Sequence, residues 1–163
     1  MAETRSGGVV SVHPLETAPI GILTAVLEPP HRLGATPAGE RKCVPVCGGG
    51  IEGARLSGRI LSGGSDWAVT NAAGILELDV RLVIETIDGA LINCRYTGMR
   101  HASAEIMRKL AVGEAVSWRD MYFRIAPRFE TSDPRYDWLN RILAIGIGER
   151  LPDGPRYHIH EVL

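Results

Sequence analysis

Ile75-Leu76-Glu77-Leu78-Asp79-Val80-Arg81-Leu82-Val83-Ile84-Glu85-Thr86 is the stretch on which the fold turns. Leu76, Leu78, Val80, Leu82 and Ile84 alternate with Glu77, Asp79, Arg81, Val83 and Glu85, a period of two that gives one strand an apolar face and a charged face. Its length exceeds the usual strand of about five or six residues, and long strands suit a tilted barrel better than a flat sandwich. Ile87-Asp88-Gly89-Ala90 then reads as a tight hairpin, because Asp-Gly tolerates the positive φ angles such turns need. Leu91 to Thr97 is the return strand.

Outward from this hairpin the same period recurs at Gly21 to Leu27, Lys42 to Val46, Ile51 to Leu61, Asp66 to Thr70, Met121 to Glu130, Ile142 to Gly148 and Arg156 to Val162. Gly-Gly, Pro-Pro and Asp-Gly turns punctuate the gaps. The pattern predicts an all-β fold, a closed antiparallel β-barrel of about eight to nine strands. One helix interrupts it, capped by Ser103, carrying Ile106, Met107 and Leu110 on one face and ended by Gly113. It is expected to cover one end of the barrel. A shorter helical turn follows Ser132-Asp133-Pro134 and carries Tyr136, Trp138 and Leu139. Residues 1–19 lack periodicity and read as a flexible leader, leaving 20–163 as a single domain.

Composition narrows the function classes. The chain has 163 residues, 45% of them apolar, and its 18 basic residues are interleaved with 19 acidic ones for a net charge of -1. That distribution lacks the clustered Lys and Arg a phosphate-tracking surface needs, so nucleic acid is not expected as a partner. No apolar run approaches the roughly 18 residues of a membrane helix, and the N-terminus lacks a signal-peptide pattern. A cytoplasmic protein without membrane contact is expected. Cys43, Cys47 and Cys94 are an odd set that fits a reducing compartment and reads as small buried hydrophobes. His158 and His160 share a strand face, yet no third ligand completes a metal site. No metal and no cofactor is expected.

Several stretches resemble a known family. They are Pro45 to Gly49 leading into Gly53-Ala54-Arg55-Leu56-Ser57-Gly58-Arg59; Gly63-Gly64-Ser65-Asp66-Trp67; Glu77-Leu78-Asp79-Val80-Arg81; Asp88-Gly89-Ala90-Leu91-Ile92; Tyr122-Phe123-Arg124; and the long run from Arg128 to Arg141. Together they are similar to the domain-of-unknown-function family 3237 over about residues 20 to 162, with Ser65 standing where the family pattern has Ala. The resemblance implies a closed antiparallel barrel similar to the allene oxide cyclase and dirigent barrels. Such barrels often take a small apolar molecule into the lumen, and some guide cyclisations or isomerisations. Fold alone does not fix chemistry.

The residues themselves supply candidate chemistry. On Met121 to Glu130, Tyr122, Arg124, Ala126, Arg128 and Glu130 share one face, and Phe123, Ile125, Pro127 and Phe129 the other. If the polar face lines the lumen, Tyr122 is an acid, Arg124 an oxyanion stabiliser and Glu130 a base. Otherwise that face is wet and the Phe face is core. Asp66 follows a Gly-Gly turn and is a second candidate base. Arg59, Trp67, Asp79, Arg81, Tyr96, His101 and Trp138 are candidate ligand contacts, with Trp67 and Trp138 as flat walls. Asp79 and Arg81, with Asn93 and Arg95 on the partner strand, could equally form a paired structural network. No Gly-x-Ser-x-Gly elbow is present, and the cysteines lack a basic neighbour in sequence.

These features favour a cofactor-independent enzyme, an isomerase, cyclase or lyase acting on a small apolar or aromatic carbonyl compound in the lumen. The alternative is a lipocalin-like carrier. A third reading is a homo-oligomer assembled through the Leu76 to Ile84 face, should that face be external.

Overall fold

The computed structural model describes residues 11–163. Its strands are β1 (Thr17–Leu27), β2 (His31–Thr36), β3 (Gly39–Glu52), β4 (Gly58–Ile60), β5 (Gly64–Asp66), β6 (Val69–Thr70), β7 (Leu76–Thr86), β8 (Leu91–Ala102), β9 (Met121–Glu130), β10 (Leu143–Leu151) and β11 (Gly154–Val162). The order β1-β11-β10-β9-β8-β7 continues through β4, β5 and β6 to β3, and β3 pairs back onto β1, closing the ring. Short β4, β5 and β6 succeed one another between β3 and β7 as one broken strand, so the barrel is eight-stranded and antiparallel throughout. Closure removes the unpaired edges an open sheet would expose.

Along β7 the apolar residues Leu76, Leu78, Val80, Leu82 and Ile84 are buried, while Glu77, Asp79, Arg81 and Val83 are exposed. The greasy face therefore points inward and is not the external surface that the oligomer reading required. β9 has the same phase. Met121, Phe123, Ile125, Pro127 and Phe129 face the core. The space for these large groups comes from inward glycines on neighbouring strands. A Cβ at Gly148 would lie 2.5 Å from the Phe123 ring, and one at Gly146 2.6 Å from Ile125.

Several boundaries differ from the sequence reading. Residues 17–19 belong to β1, which bonds to β11 from Thr17 onward, so the leader ends sooner than expected; its first ten residues lie outside the described ones. Ile51 to Leu61 is not one strand. It is the end of β3, a loop closed by mutual bonds between Ser57 Oγ and the Gly53 backbone (2.8 and 3.2 Å), and β4. β2 went unread because it is largely exposed and does not alternate. At the β7–β8 turn only Gly89 takes positive φ (86°). Thr86 and Ala90 bond across the turn, so it is wider than a two-residue Asp-Gly hairpin.

The two ends of the barrel differ. One is sealed by the 3-10 segment Pro134–Arg141, whose Leu139 is 1% exposed, and by Leu56 from the 53–57 loop. This segment is pinned to the β7–β8 turn: Tyr136 donates to Asp88 (2.9 Å), Arg135 pairs with Asp88 and Asp133, and buried Thr86 donates to Asp88 (2.6 Å). The distinctive Ser132-to-Arg141 run thus builds a lid. α1 (Ala104–Ala111), capped by Ser103 as the sequence indicates, stands at the rim of the other end with Leu110 packed on the core. That end is open.

Candidate functional site at the open mouth

Each strand delivers its inward-phase residue to the open end. On β8 the inward series Ile92, Cys94, Tyr96 and Gly98 continues to Arg100, which lies opposite Leu76 and Phe123. On β3 the inward residues Val44 and Val46 are preceded in phase by Lys42. Asp66 on β5 pairs with Val44 and Val80, both inward, and so turns its carboxylate into the lumen. Tyr157 on β11 stands edge-on to Tyr96 and Phe123, with centroids 5.5 and 5.2 Å away. Arg32, Arg150, Glu28 and Asp153 complete the rim of a cavity of about 490 Å3 whose floor includes Leu78, Val80 and Val46.

The electrostatics follow from burial. Asp66 Oδ1 accepts a bond from the Asp79 amide (3.1 Å), yet desolvation dominates and raises its pKa from 3.8 to about 6, against the pull of Lys42 and Arg100. Burial likewise lowers Lys42 and Arg100, each further depressed by neighbouring cations, Arg150 among them. Tyr96 and Tyr157 are pushed up by burial and remain neutral phenols at ordinary pH. The Arg100 guanidinium lies 5.6 Å from the Phe123 ring centroid, and its Nε is buried without a hydrogen-bond partner among the described residues. A carboxylate able to titrate near neutrality, fixed cations and phenol donors therefore meet over an apolar floor. Such a set can move a proton and hold the charge that results.

Of the residues singled out from sequence, Asp66 and Tyr96 are in this site. Tyr122, Arg124 and Glu130 are on the outer wall, because the Phe face of β9 is the one that packs inside. Tyr122 stacks on His101 there (5.1 Å), Arg124 bonds its neighbour's carbonyl, and Glu130 accepts from Asn93 (3.3 Å). Trp67, Asp79, Tyr122 and Arg124 do converge, on an outer groove of about 810 Å3. It is larger than the mouth cavity, but its charged groups face water, which screens them. Asp79 acts on the lumen only through its amide. Arg59 pairs with Glu85 outside (2.5 Å), and Trp138 lies under Arg55 (4.0 Å) beside the sealed end. Arg81, Arg95 and Arg128 form an exposed cross-strand row rather than an inner network.

The cysteine and histidine readings also sharpen. Cys94 is buried, and burial pushes its thiol up to about 12; Cys47 is exposed, contrary to expectation, because the inward phase of β3 falls on Val44 and Val46. His158 faces Glu149 at 3.6 Å. No group of three or more His, Cys, Asp or Glu suited to a metal occurs among the described residues, nor is any helix there long and apolar enough to cross a membrane. The sequence reading names none of Lys42, Arg100, Arg150 and Tyr157 as a site residue. Strand phase was the available signal for Lys42, Arg100 and Tyr157.

Fold and site together define an eight-stranded antiparallel barrel with one sealed end and one charged mouth. The chain belongs to the family described as protein of unknown function (DUF3237), whose model matches residues 16–162. It is 35% identical over 149 residues to a UPF0311 protein of Rhodopseudomonas palustris, covering 91% of this chain and 97% of that one. A crystal structure of a conserved protein of unknown function from Rhodopseudomonas palustris superposes with a TM-score of 0.86 at 33% identity, over 94% of this chain and all of the other. A β-barrel-like protein of Acinetobacter baumannii gives 0.81 at 38% identity, covering 94% and 99%. An enzyme from Penicillium herquei shares the fold, with a TM-score of 0.73 at 20% identity over 94% and 98%.

Proposed function

We propose that the open mouth is the active site of a cofactor-independent enzyme that moves a proton on a small carbonyl compound, in a reaction of the isomerase, cyclase or lyase type. One observation carries the reading: Asp66 is turned into an apolar lumen beside Lys42 and Arg100, with no salt bridge to either among the described residues. A carboxylate that ionises near pH 6 is a competent general base at neutral pH. In this reading Asp66 takes the α-proton, Arg100 and Lys42 stabilise the enolate oxygen, and neutral Tyr96 or Tyr157 gives a proton to the product and regains one from protonated Asp66. That the same fold serves as an enzyme in Penicillium herquei is compatible with this reading, although it fixes no chemistry.

The test is deuterium exchange by NMR on a panel of small enolisable ketones. Wild type accelerates exchange of the α-protons, and Asp66→Asn loses the acceleration while keeping its fold by circular dichroism. Exchange at the wild-type rate in Asp66→Asn removes Asp66 from the role. Saturable binding with no exchange anywhere in the panel returns the protein to the carrier reading.

A further inference from the structure

We infer that the mouth binds a small carboxylate with an apolar body, its anion held between Arg100, Lys42 and Arg150 and its apolar part laid on the aliphatic lining below them. The inference deepens the proposed active site and rests on the mouth being the functional one. Three independent observations support it.

The first is the charge inventory. Arg32, Lys42, Arg100 and Arg150 surround the cavity, and none forms a salt bridge among the described residues. The carboxylates facing them are Glu28 and Asp153, both exposed at the rim, and Asp66, which burial holds partly protonated near pH 6. The cations depress one another, Lys42 feeling Arg100, Arg32 and Arg150, and Arg100 feeling Arg150. Like charges gathered without partners are unfavourable, and an entering anion relieves them.

The second is Arg100 itself. Its Nε is buried and bonds to nothing among the described residues, although buried donors are ordinarily satisfied. Arg100 lines the cavity with its charge unpaired, and a guanidinium is matched in shape and charge to a carboxylate. The third is the wall. Val44, Leu76 and Leu78 give the cavity of about 490 Å3 an aliphatic lining beneath the cations, over a packed layer of Phe123 and Tyr157. That volume lies in the ordinary range for small-molecule sites, about 300–1,000 Å3.

Naphthoate and naphthamide test the idea, being matched in shape and different in charge. Isothermal titration calorimetry at pH 7.5 on the purified full chain should give naphthoate an affinity about 10-fold or more above naphthamide, the scale of a charge-assisted bond. Arg100→Gln should erase the preference. Lys42→Gln, nearer the rim, should reduce it and guards against misfolding of the first variant. Asp66→Asn should tighten naphthoate, since it removes a like charge. Equal affinity for both compounds, no binding of naphthoate, or a preference that survives both cation substitutions overturns the inference. Failure of the proton-transfer reading looks different: naphthoate still binds selectively while Asp66→Asn leaves exchange untouched.

Discussion

Replacing Asp66 with Asn tests the electrostatics of the mouth without needing a substrate. The carboxyl's pKa is raised from 3.8 to about 6 by burial. Between those values the native state holds a proton that the unfolded chain releases. This group's contribution is therefore full below pH 3.8 and is lost as pH rises through about 6. At 1.36 kcal/mol per pH unit the loss is about 3 kcal/mol. Asn keeps the acceptor for the Asp79 amide, carries no charge, and resembles the protonated acid in shape. Urea denaturation of both proteins at pH 3.5 and at each half unit to 7.5 gives the comparison. The stability of Asp66→Asn minus that of wild type should climb by about 3 kcal/mol across the series and level off above pH 7. The carboxylates with lowered pKa, Asp133 (to about 2, chiefly through the side-chain bond from Arg135) and Asp88 (chiefly through its Thr86 bond), impose an opposite trend at lower pH, but they are common to both proteins and cancel. A difference that stays flat from pH 4 to 7, or that falls, refutes the claim that burial outweighs Lys42 and Arg100.

Gly148→Ala should lower the melting temperature, with a cost of about 1–3 kcal/mol by urea titration, since its Cβ would press on the Phe123 ring at 2.5 Å. Thr86→Val removes the hydroxyl that serves both Asp88 and the Ala90 amide, and should destabilise by about 1–3 kcal/mol and quicken proteolysis near residues 134–141. Arg95→Glu, which puts an acid between Arg81 and Arg128, should stabilise by about 0.5 kcal/mol at low salt and less at high salt. Tyr122→Phe and Arg124→Ala, both outside the barrel, should leave deuterium exchange at the wild-type rate; loss of exchange in either moves the chemistry to the outer groove.

Local rules carried much of the architecture. The alternation in β7 and β9, the Ser103 cap and the Pro134 helical turn each depend on neighbours in sequence, and each was legible there. β4, β5 and β6 were hard to read because two or three residues carry too little pattern to separate a strand from a turn; only their pairing with both β3 and β7 makes them strands. The Arg128-to-Arg141 run, which carries part of the family resemblance, is largely architectural, since its polar side chains bond one another and the β7–β8 turn.

The order of residues alone makes this chain a barrel, because the alternation that makes strands is local and a family pattern runs through most of its length. It also determined that β9 has a polar and an apolar face. Which face lined the lumen was a tertiary decision, made when closure forced every strand to bury its apolar side. The site followed from that closure. Lys42, Asp66, Arg100 and Arg150 are far apart in the chain and unremarkable one by one. They become a charged mouth because the inward phase of four strands ends at the same rim.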